Sequence, residues 1–327
     1  VLWNGGDPVQ AAVDIGTNSV RLLIAQRKET AGGSYYLPVV SRLEITRLGH
    51  SVDSSGILDE QAMARTFRVL EDYRDELTKY PVENLVVTAT SAVRDGANRE
   101  EFLDKVKILT GWDVRVLSGA KEAEASFVGA AKTLQGLGFT LAPRLAVLDI
   151  GGGSTELTYG TLDGGVLGSR SVQVGAVRMT ELCITGHPVS STELERLRRL
   201  VSSRVAPLTA VHPDGEVRPA EMTLIGVGGT ITALAALELE LAAYDWSKVT
   251  GAILTESRVT YWLEYLAKLD LAKRSLLPGI SLGREDIIVA GAAICRETMG
   301  LLGIDQLMVS DGDLMQGLLY GTAFGAD

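Results

Sequence analysis

Val13-Asp14-Ile15-Gly16-Thr17-Asn18-Ser19 and Leu148-Asp149-Ile150-Gly151-Gly152-Gly153-Ser154 are two copies of one phrase. Each is a short apolar run ending in aspartate, then glycine with small polar residues, then a second apolar run at 20–25 or 157–159. That pattern predicts strand, tight turn, strand. The turns present bare backbone where a ligand can approach closely. Their N–H groups and hydroxyls are the donors a phosphate needs. Asp14 and Asp149, at the strand ends, suit a hydrated cation. One such turn is ordinary for a glycine hairpin. Two, about 135 residues apart and flanked alike, predict duplicated domains closing on one phosphate-bearing ligand.

Composition agrees with two globular units. The length of 327 residues allows two domains, and 46% apolar residues suffice for two cores. A net charge of −10 argues against general nucleic-acid binding, although a local basic channel can still take a polyanion. No apolar run is long enough to span a membrane. The N-terminal residues 1–8 lack the pattern of a signal peptide and read as a loose lead-in. Cys183 and Cys295 fall in helical surroundings and read as buried thiols of a reducing cytoplasm. His50, His187 and His212 lie in loops without ligand spacing.

Working outward, strands are predicted at 10–15, 20–27 and 36–47. A helix follows from Asp59 to about Lys79, then a buried strand at 85–90. Asn98 opens a helix that stops at Gly111. A strand at 114–117 precedes a helix capped by Ser118 and running to about Leu134. Residues 135–144 break the pattern, and the order restarts with strands at 145–150, 155–160 and 166–173. Ser190 and Glu193 form a capping box. Strands are predicted at 222–227, 249–254 and 306–310, with helices at 256–268 and 284–300. These divide the chain into an N-terminal domain, 1–134, a C-terminal domain, 135–312, and an apolar helix within 313–327 that packs back on the first domain.

Three further motifs carry chemistry. Gly228-Gly229-Thr230 follows a strand and opens a helix, so it is either an anion site or a close helix–strand approach. It lacks the lysine of a Walker loop. Ser91 and Arg94 leave a strand end in a loop, on the edge where α/β sites form; Arg94 is either a phosphate fork or a partner of Asp95 or Glu101. Glu122 lies one turn into a helix after a strand end. It either decorates a solvated helix terminus or points into the cleft to position a water.

Taken together, Asp14-Ile15-Gly16-Thr17-Asn18-Ser19, Ala89-Thr90-Ser91-Ala92-Val93-Arg94, Ser118-Gly119-Ala120-Lys121-Glu122-Ala123, Asp149-Ile150-Gly151-Gly152-Gly153-Ser154-Thr155-Glu156 and Gly228-Gly229-Thr230 resemble the exopolyphosphatase/guanosine-pentaphosphate phosphatase family, within the actin, Hsp70 and sugar-kinase superfamily. The resemblance runs from Ala12 to about Leu319. It implies an α/β fold of two ribonuclease-H-like, actin-like ATPase domains with an active-site cleft between them. It implies release of orthophosphate from the ends of polyphosphate, with Mg²⁺, Mn²⁺ as a substitute and a monovalent cation in support. The family's water-activating glutamate falls on Glu122. Its metal-associated carboxylates fall on Asp14, Asp149 and Glu156. Its phosphate-binding residues fall on Gly16, Thr17, Asn18, Ser19 and Arg21, on Ser91 and Arg94, on Gly151, Gly152, Gly153, Ser154 and Thr155, and on Gly228, Gly229 and Thr230.

Two departures from the family stand out. Lys121 occupies a position that is acidic in many members, and the chain resembles the short members that lack a further helical region. Contacts to a long polymer then come from the core or from a homodimer. Arg94 with Arg21, Arg47 and Lys121 is expected to form a positive strip leading to the cleft. The partners implied are polyphosphate or guanosine pentaphosphate, with no nucleic acid and no membrane, in the cytoplasm. The alternatives are a guanosine pentaphosphate phosphohydrolase, which needs a base-stacking surface that the 6% aromatic content does not advertise, a non-catalytic polyphosphate or nucleotide sensor, and a kinase of the same superfamily.

Overall fold

A computed structural model describes residues 7–50, 52–163, 165–211, 222–280 and 283–321. The lead-in residues 1–6, His212 and residues 322–327, within which the sequence predicts the C-terminal helix to end, lie outside these. The repeated phrase marks a repeated sheet. The first sheet holds β1 (Val9–Ile15), β2 (Ser19–Thr30), β3 (Gly33–Ile45), β4 (Val82–Ala89) and β5 (Arg115–Val116), in the order β3-β2-β1-β4-β5. The second holds β6 (Arg144–Ile150), β7 (Thr155–Thr161), β8 (Val166–Val172), β9 (Met222–Val227), β10 (Ile253–Thr255) and β11 (Gln306–Val309), in the order β10-β11-β9-β6-β7-β8. From its other edge the second order repeats the first, with β10 added antiparallel to β11. In each, a three-strand antiparallel meander is extended by parallel strands. This is a pair of ribonuclease-H-like sheets.

The sequence builds these elements locally. The apolar run of β1 is buried on both faces, as a central strand should be. Asp59 caps helix Glu60–Leu77 by accepting from the Ala62 N–H at 2.9 Å, and Ser118 caps helix Gly119–Gly136 through the Lys121 N–H. Ser190 and Glu193 close a reciprocal capping box on helix Ser191–Val205. Phe67 and Phe102 stack at 5.2 Å, joining helices Glu60–Leu77 and Arg99–Thr110 over one face of the first sheet.

Some elements differ from the sequence reading. Residues 249–254 are not one strand: Asp245 caps a single helical turn, Trp246–Val249, and Gly251 at φ 86° breaks the chain before β10. Asn98 does not cap its helix; its amide exchanges hydrogen bonds with the Leu58 backbone. Ser91 and Arg94 sit on a five-residue helix, Ser91–Asp95, too short to show a period. The helix expected at 284–300 runs over Ile288–Leu302.

The two units exchange helices. Helix Gly119–Gly136 follows β5 of the first sheet, yet Phe127, Val128, Ala130, Ala131 and Leu134 pack with Leu145, Val147, Ile225 and Val227 of the second. Helix Leu314–Leu319 follows β11 of the second sheet, yet it packs on Ala12, Leu23 and Ala25 of the first. They cross at two glycines. A methyl at Gly129 would overlap the Asp313 carbonyl, and one at Gly317 would overlap that of Ala125. A division at 134/135 therefore falls at the end of a helix whose packing belongs to both units. Both cysteines are buried and free. Among the described residues no helix is long and apolar enough to cross a membrane.

Candidate active site

The two turns are closed by the same bond: Gly16 N–H donates to Ser19 C=O and Gly151 N–H to Ser154 C=O, each at 3.0 Å. Although they end different sheets, they abut. Thr17 Oγ1 lies 3.0 Å from Ser91 Oγ, and Gly153 approaches Ser91 so closely that a methyl there would overlap its hydroxyl. The space between them is a cleft of about 720 Å³. Asp14, Gly16, Thr17, Asn18, Ser19, Arg21, Ser91, Glu122, Asp149, Gly151, Gly152, Gly153, Ser154, Gly228, Gly229 and Thr230 all line it. Three sequence candidates do not. Arg94 stands behind Glu122, Thr155 is fully buried and donates to Val174 C=O, and Glu156 is buried against Ser171.

Charge is arranged unevenly across the cleft. Asp14 meets Arg21 at 3.3 Å and accepts from Thr88; Arg21 also pairs with Asp313. Burial raises the Asp14 carboxyl above its ordinary range against the pull of Arg21. Among the described residues Asp149 forms no ion pair, though it feels Arg21 at longer range, and it accepts from Ser126 Oγ at 2.5 Å. Burial, and then Asp313, push it up to about 6. Glu156 is driven to about 8 by burial and by Asp149. Glu122 is raised well above the carboxylate range by burial and by Glu156, while Arg94 Nη1, 3.3 Å from its Oε2, pulls it down.

The expected positive strip does not form. Arg94 holds Glu122 and the Leu117 carbonyl, Arg21 pairs with Asp14 and Asp313, Arg47 with Asp286 and Lys121 with Glu124. Each cation finds a carboxylate within reach on this acidic chain. The cleft instead owes a positive group to a residue that sequence reasoning passed over. Arg284 lies with its guanidinium on the Gly229 backbone, and among the described residues that guanidinium has no hydrogen-bond partner. Burial, and then Arg21, lower its pKa to about 10, which leaves it protonated at neutral pH. Asp313 was missed as well. Both come from late in the chain, outside the motifs that carry the family resemblance.

Among the described residues no three acidic, histidine or cysteine side chains converge into a ready metal cage. Mg²⁺ does not need one: it keeps much of its water and takes one or two carboxylates together with substrate phosphates. Asp149 fits that pattern best, because it faces the cleft and, unlike Asp14, forms no ion pair among the described residues.

The model of the Ppx/GppA phosphatase family matches residues 23–324. The chain belongs to the Ppx/GppA phosphatase family. It is 37% identical to exopolyphosphatase 2 of Mycobacterium tuberculosis over 327 residues, covering 96% of this chain and 98% of that one. The Ppx/GppA family member of Aquifex aeolicus is 31% identical with a TM-score of 0.77, over 96% and 97% of the two chains. An exopolyphosphatase from Cytophaga hutchinsonii is 25% identical with a TM-score of 0.82, over 98% and 99%. In this Ppx/GppA phosphatase the cleft continues past Arg21, Asp313 and Arg284 into a second chamber of about 960 Å³. Pro38, Leu43 and Met315 line it beside Arg42, Tyr244 and Asp311.

Proposed function

We propose that this protein is an exopolyphosphatase that cuts the terminal phosphoanhydride bond of inorganic polyphosphate and releases orthophosphate. One observation carries the reading: Glu122 shares a cleft with two facing anion turns and is held there by Arg94. The N–H groups of the turns, with Arg21 and Arg284, receive the terminal phosphoryl group and take up its charge. Glu122 orients a water in line and accepts its proton as the oxygen attacks phosphorus and the bridging P–O bond breaks. Its raised pKa brings it toward the working pH, as a general base requires. Asp149 and Asp14 are the residues to hold Mg²⁺, directly or through water, with Mn²⁺ as a substitute and a monovalent cation in support. Glu156, behind them, is a buried acid that a bound cation would help to ionise. The ion supplies charge neutralisation of the phosphoryl oxygens. Ser91 and Thr17 brace the first turn, Thr155 anchors the second, and Gly228, Gly229 and Thr230 offer helix N-terminal donors.

The second chamber favours one further reading, guanosine pentaphosphate as substrate, with its nucleoside against Tyr244 and the apolar wall. The free, buried thiols fit a reducing cytoplasm. A homodimer, checked by light scattering, would lengthen the track for a polymer. Purified protein with Mg²⁺ is expected to release phosphate from polyphosphate, and from guanosine pentaphosphate under the second reading. Failure on both substrates overturns the enzyme and leaves a sensor.

A further inference from the structure

The first anion turn and the arginine that faces it are carried by different units. Among the described residues Arg47–Asp286 joins their supports, while His50–Glu181 and Arg178–Asp95 join the units elsewhere along the seam. On the first side, the loop after β3 is bonded to the turn itself. Thr46 and Arg47 N–H both donate to Asn18 C=O, at 3.1 and 2.9 Å, and Gly49 N–H donates to Thr17 C=O at 2.8 Å. Arg47 takes a left-handed backbone, φ 51°, which a long side chain seldom adopts and which its surroundings must hold in place.

On the second side, Arg284 lies in a segment fixed from beneath. Arg274, fully buried, donates to the carbonyls of Glu285 at 3.0 Å and Leu266 at 2.8 Å. The Glu285 carboxylate accepts from the Gly283 N–H at 2.6 Å. Gly283 sits against the Ile45 side chain of the first unit. Between the two supports, Arg47 Nη2 meets Asp286 Oδ2 at 3.0 Å. The other oxygen, Oδ1, is buried and has no hydrogen-bond partner among the described residues; Arg274 and His187 feel this carboxylate at longer range, and Arg47 is its direct ion-pair partner.

We propose that Arg47 and Asp286 are positioning residues: their ion pair latches the loop behind the first anion turn to the segment that carries Arg284, and so sets the cleft width at which both grip one phosphate chain. The latch acts on the fraction of protein ready to bind, not on the water attack. This rests on the hydrolytic reading above, and its test separates the two.

Arg47→Gly keeps the left-handed backbone and removes the charge, while Asp286→Asn keeps the shape. With Arg47 45% exposed, loss of the pair should raise KM for polyphosphate roughly three- to five-fold. The kcat should stay within about twofold, since the transition-state contacts are untouched. The double variant should be no worse than either single one, and Arg47→Lys should recover most of the loss. A second measurement needs no turnover. Spin labels on cysteines placed at the exposed Lys105 and Arg199, with both native thiols buried, report the distance between units. Arg47→Gly and Asp286→Asn should broaden and lengthen that distance relative to the parent. Additive KM effects, or distance distributions that superimpose on the parent's, overturn the latch. A parent that releases no phosphate overturns the enzyme reading alone, and the distances then decide the latch.

Discussion

Across the first strand pair Asp14 stands opposite Arg21; across the equivalent pair in the second unit Asp149 stands opposite Glu156. The same turn is thus backed by a neutral pair in one half and by two acids in the other. In the first half Arg21 offsets Asp14, though it is shared with Asp313 and burial still raises the Asp14 carboxyl. The second half sets two buried acids against each other with little to offset their ionisation, visible in the raised Asp149 and Glu156 carboxyls. One cross-strand residue thus distinguishes the two halves of a duplicated scaffold, and under the proposed function that difference assigns phosphate to the Arg21 side and the cation to the Asp149 side.

The largest expected effect concerns the group placed between the halves. Glu122→Gln keeps size and reach but removes the base, so kcat should fall roughly 10²-fold or more with KM nearly unchanged, read as phosphate release. Turnover within a few fold of the parent would remove Glu122 from the chemistry. Next comes the asymmetry itself. Asp149→Asn should raise the Mg²⁺ concentration for half-maximal activity by roughly tenfold or more, and Asp14→Asn should raise it less. Equal shifts in a Mg²⁺ titration would erase the division.

Smaller, and visible without turnover, is the pH response of the metal-free protein. Asp149 and Glu156 hold protons in the folded state over a range where the unfolded chain has lost them. Their contribution to stability is complete below the ordinary carboxylate range and is lost as pH rises through about 6 and then about 8. In chelator, Tm should therefore fall between pH 5 and 8, and Mg²⁺ should recover more of it at pH 8 than at pH 5, since binding must displace fewer protons there. Glu156→Gln should flatten that slope, whereas Ser91→Ala should leave it unchanged. A slope that is the same in Glu156→Gln and the parent would place the titrating charge elsewhere.

Much of this was legible in the residues. Alternating and continuous apolar runs gave both meanders, the aspartate–glycine phrases gave both turns, and Asp59, Ser118, Ser190 and Gly111 punctuated their helices because a cap is a bond between neighbours in sequence. What failed was either too short to show a period, as at Ser91–Asp95, or decided by a distant partner, as where Leu58 takes the Asn98 amide.

The sequence by itself determined the two sheets, the two turns and most of the residues that line the cleft, since each follows from local spacing and from a phrase used twice. Only the tertiary structure decided that Asp14 has Arg21 beside it while Asp149 has no such partner among the described residues, that Arg94 braces Glu122 rather than lining the cleft, that Arg284 and Asp313 join the cleft wall, and that Arg47 meets Asp286 across the units. The physical reason is that a charge is defined by what surrounds it. Those surroundings come from segments up to 292 residues apart, as Arg21 and Asp313 are, and are brought together by helices that cross at Gly129 and Gly317.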